Sequence, residues 1–300
     1  MDLCDIRQIK GLLRRHGFHF SKSMGQNFLI DPSVPRRIAD ASGAGPGCGV
    51  LEIGPGIGSL TEQLAQRADQ VTAVELDRRL LPILEETLSR YENISIVISD
   101  ILKLDLPALV DERFSGLTPV VCANLPYNIT TPILTALLEA KCFQTITVMI
   151  QREVARRICT GSGTSDYGAF SLYCQYHADC ELLFEVPPAC FVPAPKVTSA
   201  VLRLSPLTEP PVPVCDEKLF FRIIKASFAM RRKTLVNGLA SGFSGQLTKG
   251  DLAELIQSCG FPATVRGEQL GIEEFARLTK VVYDALKRTA KGYDQNAKEW

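Results

Sequence analysis

No stretch of the sequence approaches the roughly 18 unbroken apolar residues that a membrane span needs. The opening residues, Met1-Asp2-Leu3-Cys4-Asp5, hold no basic segment leading into an apolar one, so no secretory leader is expected and the chain is read as cytoplasmic. The 10 cysteines include no CxxC pair and only 3 histidines accompany them, so neither a metal site nor a disulfide framework is expected. Scattered through apolar runs, these thiols read as small buried hydrophobes. Net charge is missing too, with 33 basic against 33 acidic residues, which argues against a protein that coats nucleic acid indiscriminately. What remains is a 300-residue chain, 46% apolar and 22% charged, long enough to bury a core without staples in one large or two modest domains.

The balanced charge is unevenly spread. Arg7, Lys10, Arg14, Arg15 and Lys22 lie between Asp5 and Asp31 with no acid among them. Lys218, Arg222, Lys225, Arg231, Arg232, Lys233 and Lys249 lie between Glu217 and Asp251, again with none. Such segregation suggests a localised face for a polyanion, although two solvated helix faces would look the same from charge alone.

From residue 48 to 204, apolar runs alternate with helix-like segments, the pattern of an α/β fold with a mostly parallel sheet. Seven strands are expected at 48–53, 70–75, 94–99, 119–123, 145–150, 181–186 and 197–204, with helices at 59–67, 77–90, 131–140, 151–159 and 168–178. The proline-rich stretch 206–213 reads as a linker. Beyond it helices dominate, at 216–229, 231–240, 248–259 and 272–288, before a polar, frayed end. The expected domains are therefore 1–205, with its basic leading segment, and an all-helical 214–300.

Val50 to Leu60 is an apolar strand running into Gly54-Pro55-Gly56-Ile57-Gly58 and then a helix, where missing Cβ atoms let backbone approach a ligand. A dinucleotide fingerprint would need glycine where Ser59 stands, so a nucleoside without a diphosphate suits the turn better. Glu75, at the end of the second strand, can accept from both hydroxyls of a ribose. Asp100, with Ile101 beside it past the third strand, can hold an adenine amino group. Together these residues describe an adenosine pocket at the carboxyl ends of the strands.

Asn124-Leu125-Pro126-Tyr127 follows the fourth strand and supplies an amide oxygen, a backbone carbonyl freed from the sheet by proline, and an aromatic face. Those parts suit an exocyclic amine on a flat base. Its lone pair is delocalised into the ring, so attack needs rehybridisation, and acceptors placed for a tetrahedral nitrogen favour the transition state. Each such bond contributes about 1.5–3 kcal/mol. Phe191, on the proline-fixed segment before the last strand, offers a second stacking face worth about 1–3 kcal/mol.

In these segments the sequence resembles the Rossmann-like class I S-adenosylmethionine-dependent methyltransferases, and within them the bacterial small-subunit ribosomal RNA adenine dimethyltransferases. The resemblance spans about residues 7–287. It is carried by Gly25-Gln26-Asn27-Phe28-Leu29, Glu52 to Gly58, Glu75-Leu76-Asp77, Asp100, Asn124 to Asn128, Gln151 to Ala155, Tyr167-Gly168, Phe191 to Val197, Ala226 to Phe228 and Arg231 to Lys233. It implies that Asn27, Leu29, Gly54, Glu75, Asp100 and Asn124, with Gly56 and Ile101 beside them, contact the methyl donor. It further implies that Asn124, Tyr127 and Phe191 handle the target base. The substrate implied is 16S rRNA in an immature small subunit, dimethylated at two adjacent adenosines of a hairpin near its 3′ end. Arg14, Arg15, Lys22, Arg222, Lys225, Arg231, Arg232 and Lys233 are then the expected RNA contacts of a monomer that needs no metal or membrane.

Two other readings share parts of this pattern: a large-subunit rRNA adenine methyltransferase, and a non-catalytic assembly or transcription factor on the same fold. The helical tail and the Phe191 to Val197 segment favour the small-subunit enzyme, and intact Asn124, Tyr127 and Glu75 favour turnover. A nicotinamide-dependent oxidoreductase is disfavoured by Ser59 and by the tetrapeptide.

Overall fold

β-Branched and apolar runs become strands wherever glycine or a polar turn ends them. A computed structural model describes residues 1–20 and 25–296, with side-chain surroundings to residue 288, so Lys22 lies outside the described residues. In chain order the strands are β1 (Phe28–Leu29), β2 (Cys48–Ile53), β3 (Gln70–Glu75), β4 (Ile94–Ile98), β5 (Thr118–Asn124), β6 (Thr145–Gln151), β7 (Ala178–Val186), β8 (Phe191–Val192) and β9 (Ser199–Pro206). Seven of them form one sheet in the order β4-β3-β2-β5-β6-β9-β7, and β1 pairs with β8 in a separate two-stranded ladder.

The sheet is parallel from β4 to β6, and its central strands are buried on both faces, as Val50, Leu51, Val71, Val120, Val121 and Val148 show. β9 runs antiparallel to both of its neighbours. Residues 187–198, between β7 and β9, are rich in proline and hold no crossover helix, so the chain returns in the opposite direction. The strand order reverses between β2 and β5, the place where open α/β sheets leave a crevice at their carboxyl ends.

The helices of this part of the chain are α1 (Ile6–Arg15), α2 (Ser33–Ala41), α3 (Ser59–Ala65), α4 (Leu81–Leu88), α5 (Leu106–Arg113) and α6 (Thr130–Ala140), and α7 (Arg152–Cys159) follows β6. Asp5 caps α1 by accepting from the Arg7 and Gln8 amides, and Ile9, Leu12 and Leu13 bury one face of that helix while its arginines stay outside. The sequence pattern had not singled out α1, α2 and α5. The helix expected over 77–90 is split, a 3-10 turn at Arg78–Leu80 preceding α4, whose first turn holds Pro82.

Two compact units emerge: Met1–Ala155 with Ala178–Pro206, and Arg156–His177 with the chain from Leu207 onward. Residues 156–177, which the sequence boundary at 205 left in the first domain, thus group with the helical unit. The reason is packing: Tyr167, Leu172 and Tyr176 are buried in one cluster with Phe220, Phe243 and Phe275. This unit contains α8 (Ala169–His177), α9 (Glu217–Ala229), α10 (Leu235–Gly242), α11 (Lys249–Ser258) and α12 (Ile272–Asn296). α10 starts at Leu235 instead of 231, so Arg231, Arg232 and Lys233 lie in a turn closed by the Lys233 amide on the Met230 carbonyl. α12 continues to Asn296, past the expected end at 288.

Candidate active site

The carboxyl ends of β4, β3, β2 and β5 stand side by side, and a cavity opens over them, roofed by the segment Gly25 to Leu29. Asn27, Leu29, Gly54, Gly56, Glu75, Asp100 and Ile101 all line it, as do Asn124, Leu125, Pro126 and Tyr127. Apart from Asn27 and Leu29 of the roof, residues far apart in sequence thus meet because they follow or end neighbouring strands.

The glycine turn has two jobs. Gly56 has φ 62°, and a Cβ there would lie 3.1 Å from the Phe28 ring on the cavity side. Gly58 has φ 91°, and a Cβ there would lie 2.9 Å from Leu88, so this glycine serves packing against α4.

Glu75 is fixed by backbone, its Oε1 accepting from the Asp77 amide at 2.8 Å and its Oε2 from the Gly56 amide at 3.4 Å. Burial raises the pKa of this carboxyl, and those amides, with the Leu76 amide, oppose the shift. Asp100 Oδ1 accepts from the Leu102 amide at 3.1 Å, at the start of a 3-10 turn. Leu76 and Leu102 are 50% and 42% exposed and line the same cavity, two apolar side chains beside the two acids.

Glu52 was not among the expected site residues, although it opens the E-x-G-x-G-x-G pattern. It lines the cavity, is 1% exposed, and its Oε2 has no hydrogen-bond partner among the described residues. Burial pushes its carboxyl up to about 8; the Thr61 hydroxyl pulls it down and the charge of Glu75 raises it.

The roof is tied down by Gln26, whose Nε2 donates to Asp77 Oδ2 at 2.8 Å, while Arg79 pairs with the same carboxylate at 2.7 Å. Asn124 Nδ2 donates to the Asn27 carbonyl at 3.4 Å, which leaves Oδ1 as the acceptor on the cavity side. The Leu125 amide donates to the Met149 carbonyl at 3.0 Å, whereas the Leu125 carbonyl accepts no backbone hydrogen bond among the described residues. Tyr127 is half-buried and its hydroxyl meets Ser199 Oγ at 2.6 Å. Burial raises that phenol's pKa and the serine bond opposes it.

Phe191 lies off the lining. It is 3% exposed, sits opposite Leu29 in the β1–β8 ladder, and packs in a cluster with Val34, Ile38 and Met149. The structure therefore does not bring it to the cavity lining. Its burial in that cluster is a property of the fold that the local sequence does not display.

The expected RNA contacts divide. Arg14, Lys225, Arg232 and Lys233 are exposed. Arg15 is paired with Glu86, which also meets His16 Nε2 at 2.6 Å. Arg222 donates to the Gly242 carbonyl at 2.8 Å and to Gln246 Oε1 at 2.7 Å, and lies over the Phe243 ring. Arg231 bonds to the Ser165 and Tyr167 carbonyls, tying that loop to the turn after α9. Among the described residues no group of acids, histidines and cysteines could hold a metal ion, and no helix is long and apolar enough to cross a membrane.

A mostly parallel sheet with this reversal, a glycine turn after β2, an acid ending β3 and another just past β4 defines a Rossmann-like methyltransferase. The fold is shared with a dimethyladenosine transferase from Plasmodium falciparum, at TM-score 0.72 and 21% identity over 86% of this chain and 98% of that one. Residues 17–259 match the family model of ribosomal RNA adenine dimethylase, and the chain belongs to that family. It is 47% identical over 289 residues to ribosomal RNA small subunit methyltransferase A of Shouchella clausii (strain KSM-K16), covering 96% of this chain and 98% of the relative. Against the same-named protein of Geobacillus thermodenitrificans (strain NG80-2) it is 45% identical, covering 94% and 97%. A solved structure of 23S rRNA methyltransferase ErmE is 28% identical, with TM-score 0.63 over 85% of this chain and 99% of that one.

Proposed function

We propose that the chain transfers methyl groups from S-adenosylmethionine to the 6-amino groups of two adjacent adenosines in a hairpin near the 3′ end of small-subunit rRNA. It makes each adenosine a dimethyladenosine and acts as a cytoplasmic monomer on the assembling subunit. The observation that carries the chemistry is the placement of Asn124 to Tyr127 at the end of β5, on the cavity that Glu75 and Asp100 also line. The small-subunit substrate is favoured over the large-subunit one by the 47% likeness to a small-subunit enzyme against 28% to ErmE.

The residues present suit the donor. Glu75 would accept from the ribose hydroxyls, the free oxygen of Asp100 from the adenine amino group, and Leu76, Ile101 and Leu102 would cover the flat base. Gly56 lets the Phe28 ring lie against the turn where a side chain would crowd it. When bound, the donor supplies a methyl group on a positively charged sulfur. Asn124 Oδ1 and the Leu125 carbonyl accept the two N–H bonds of the target amine and aim its lone pair. The Tyr127 ring stacks on the target base. Phe191 is not on the cavity lining, so this account rests on Tyr127. Neither oxygen acceptor is basic enough to keep the amine's proton, and the Tyr127 phenol is no base near neutral pH, so the proton passes to water. Catalysis is then positioning and electrostatics with no covalent nucleophile. Arg14, Lys225, Arg232 and Lys233 grip RNA phosphates.

The test is incubation of the protein with labelled donor and small subunits that lack the modification, followed by mapping of the modified bases. Label on two neighbouring adenosines near the 3′ end is expected. Label in large-subunit RNA, or none, would overturn the reading.

A further inference from the structure

A stacking ring contributes only when its face meets the base at the right angle, and a tyrosine held solely at its Cα turns about two bonds. The backbone end of Tyr127 is fixed by the 3-10 turn Tyr127–Ile129, with Thr130 Oγ1 donating to the Pro126 carbonyl at 3.2 Å and to the Tyr127 carbonyl at 3.4 Å. Its far end meets Ser199 Oγ at 2.6 Å. Ser199 is fully buried and starts β9, facing Gln151 of β6 on one side and Val186 of β7 on the other. The neighbouring Thr198 carbonyl also accepts from the Arg152 amide at 3.0 Å. The hydroxyl partner is therefore anchored by ladders on both edges of its strand and cannot follow the ring if the ring moves.

We infer that Ser199 is a positioning residue for Tyr127, its hydroxyl clamping the phenol so that the ring presents its face to the target base. This rests on the methyl-transfer reading above and adds a residue to it. A serine that only satisfied a buried phenol would affect stability and leave turnover alone. A clamp acts on the step that needs alignment, where small misplacement is costly. The donor site, at Glu75, Asp100 and the glycine turn, does not depend on it.

The test uses the full chain as wild type, Ser199→Ala, Tyr127→Phe and the double variant, assayed on unmethylated small subunits. Binding of S-adenosylhomocysteine is measured by calorimetry. Ser199→Ala is expected to lower kcat about tenfold, with KM for subunits within about twofold, and to bind S-adenosylhomocysteine as wild type does. Tyr127→Phe should lose about as much, and the double variant no more than either, because one hydrogen bond is removed in all three. Wild-type kcat in Ser199→Ala would overturn the inference while the methyl-transfer reading stood. So would a serine effect that persists in full on the Tyr127→Phe background. Should Ser199→Ala fail to fold, Tyr127→Phe reads the same bond from its other end, and unaltered kcat there would overturn the clamp. A wild-type protein that binds S-adenosylhomocysteine but methylates no RNA would bring down the functional reading, and the inference with it.

Discussion

The carboxyl edge of the sheet and the basic stretches present polar side chains in opposite ways. At the edge, Glu75, Asp100 and Asn124 are each held by a backbone group one or two residues away or by the roof above, so identity and position together determine what they can bind. In the basic stretches charge is plentiful but its direction is set elsewhere: Arg15 is spent on Glu86, Arg222 on α10 and the Gln246 side chain, and Arg231 on two carbonyls. A functional carboxylate at a strand end declares itself. A functional arginine does so only once its neighbours are known.

That contrast can be broken or sharpened by substitution. Asn124→Ala removes the acceptor at the reacting amine and should lower kcat by about 10²–10³-fold, with RNA affinity little changed in a filter-binding assay. Glu75→Ala should weaken donor binding by about 30- to 100-fold in calorimetry and leave RNA affinity alone. If RNA affinity fell equally, the edge would not be a separate donor site.

Glu52 gives a pH signature. Its carboxyl, at about 8 in the fold against 4.5 in the unfolded chain, keeps a proton that the unfolded chain has released. The stability this proton contributes is complete below pH 4.5 and is lost as pH rises through 8. Glu52→Gln, neutral throughout, should be close to wild type at pH 5 in urea unfolding and exceed it by about 4 kcal/mol at pH 9. A constant difference between the two across that range would place the proton elsewhere.

The smallest effects belong to the basic turn. Arg232→Ala with Lys233→Ala should weaken RNA binding severalfold and flatten the slope of log affinity against log salt by about one or two. Arg231→Ala should instead lower the Tm by a few degrees, since it unties the loop at Ser165 and Tyr167. Equal salt effects from both variants would erase the distinction between spent and unspent charge.

What the sequence displays is local. β2 and β3 have the bounds expected from alternation and glycine, and the acids that end β3 and follow β4 could be placed by counting. The antiparallel insertion of β9 between β6 and β7 was not legible, because register depends on strands brought together by folding. The same holds for Phe191, whose partner Leu29 lies at the other end of the unit's chain, and for Ser199, an ordinary serine until Tyr127 is set against it. Glu52 was visible as a letter of the glycine motif, but its missing partner is a property of burial.

The β1–β8 ladder pairs Phe28 with Val192 and Leu29 with Phe191, so two residues of the cavity lining are held by a late part of the same unit. During translation the glycine turn emerges early, yet this seam cannot close until residue 192 has left the exit tunnel. A nascent chain stopped before that point would carry most of the expected donor contacts under a roof with nothing yet to latch it, a container made before its lid is fastened.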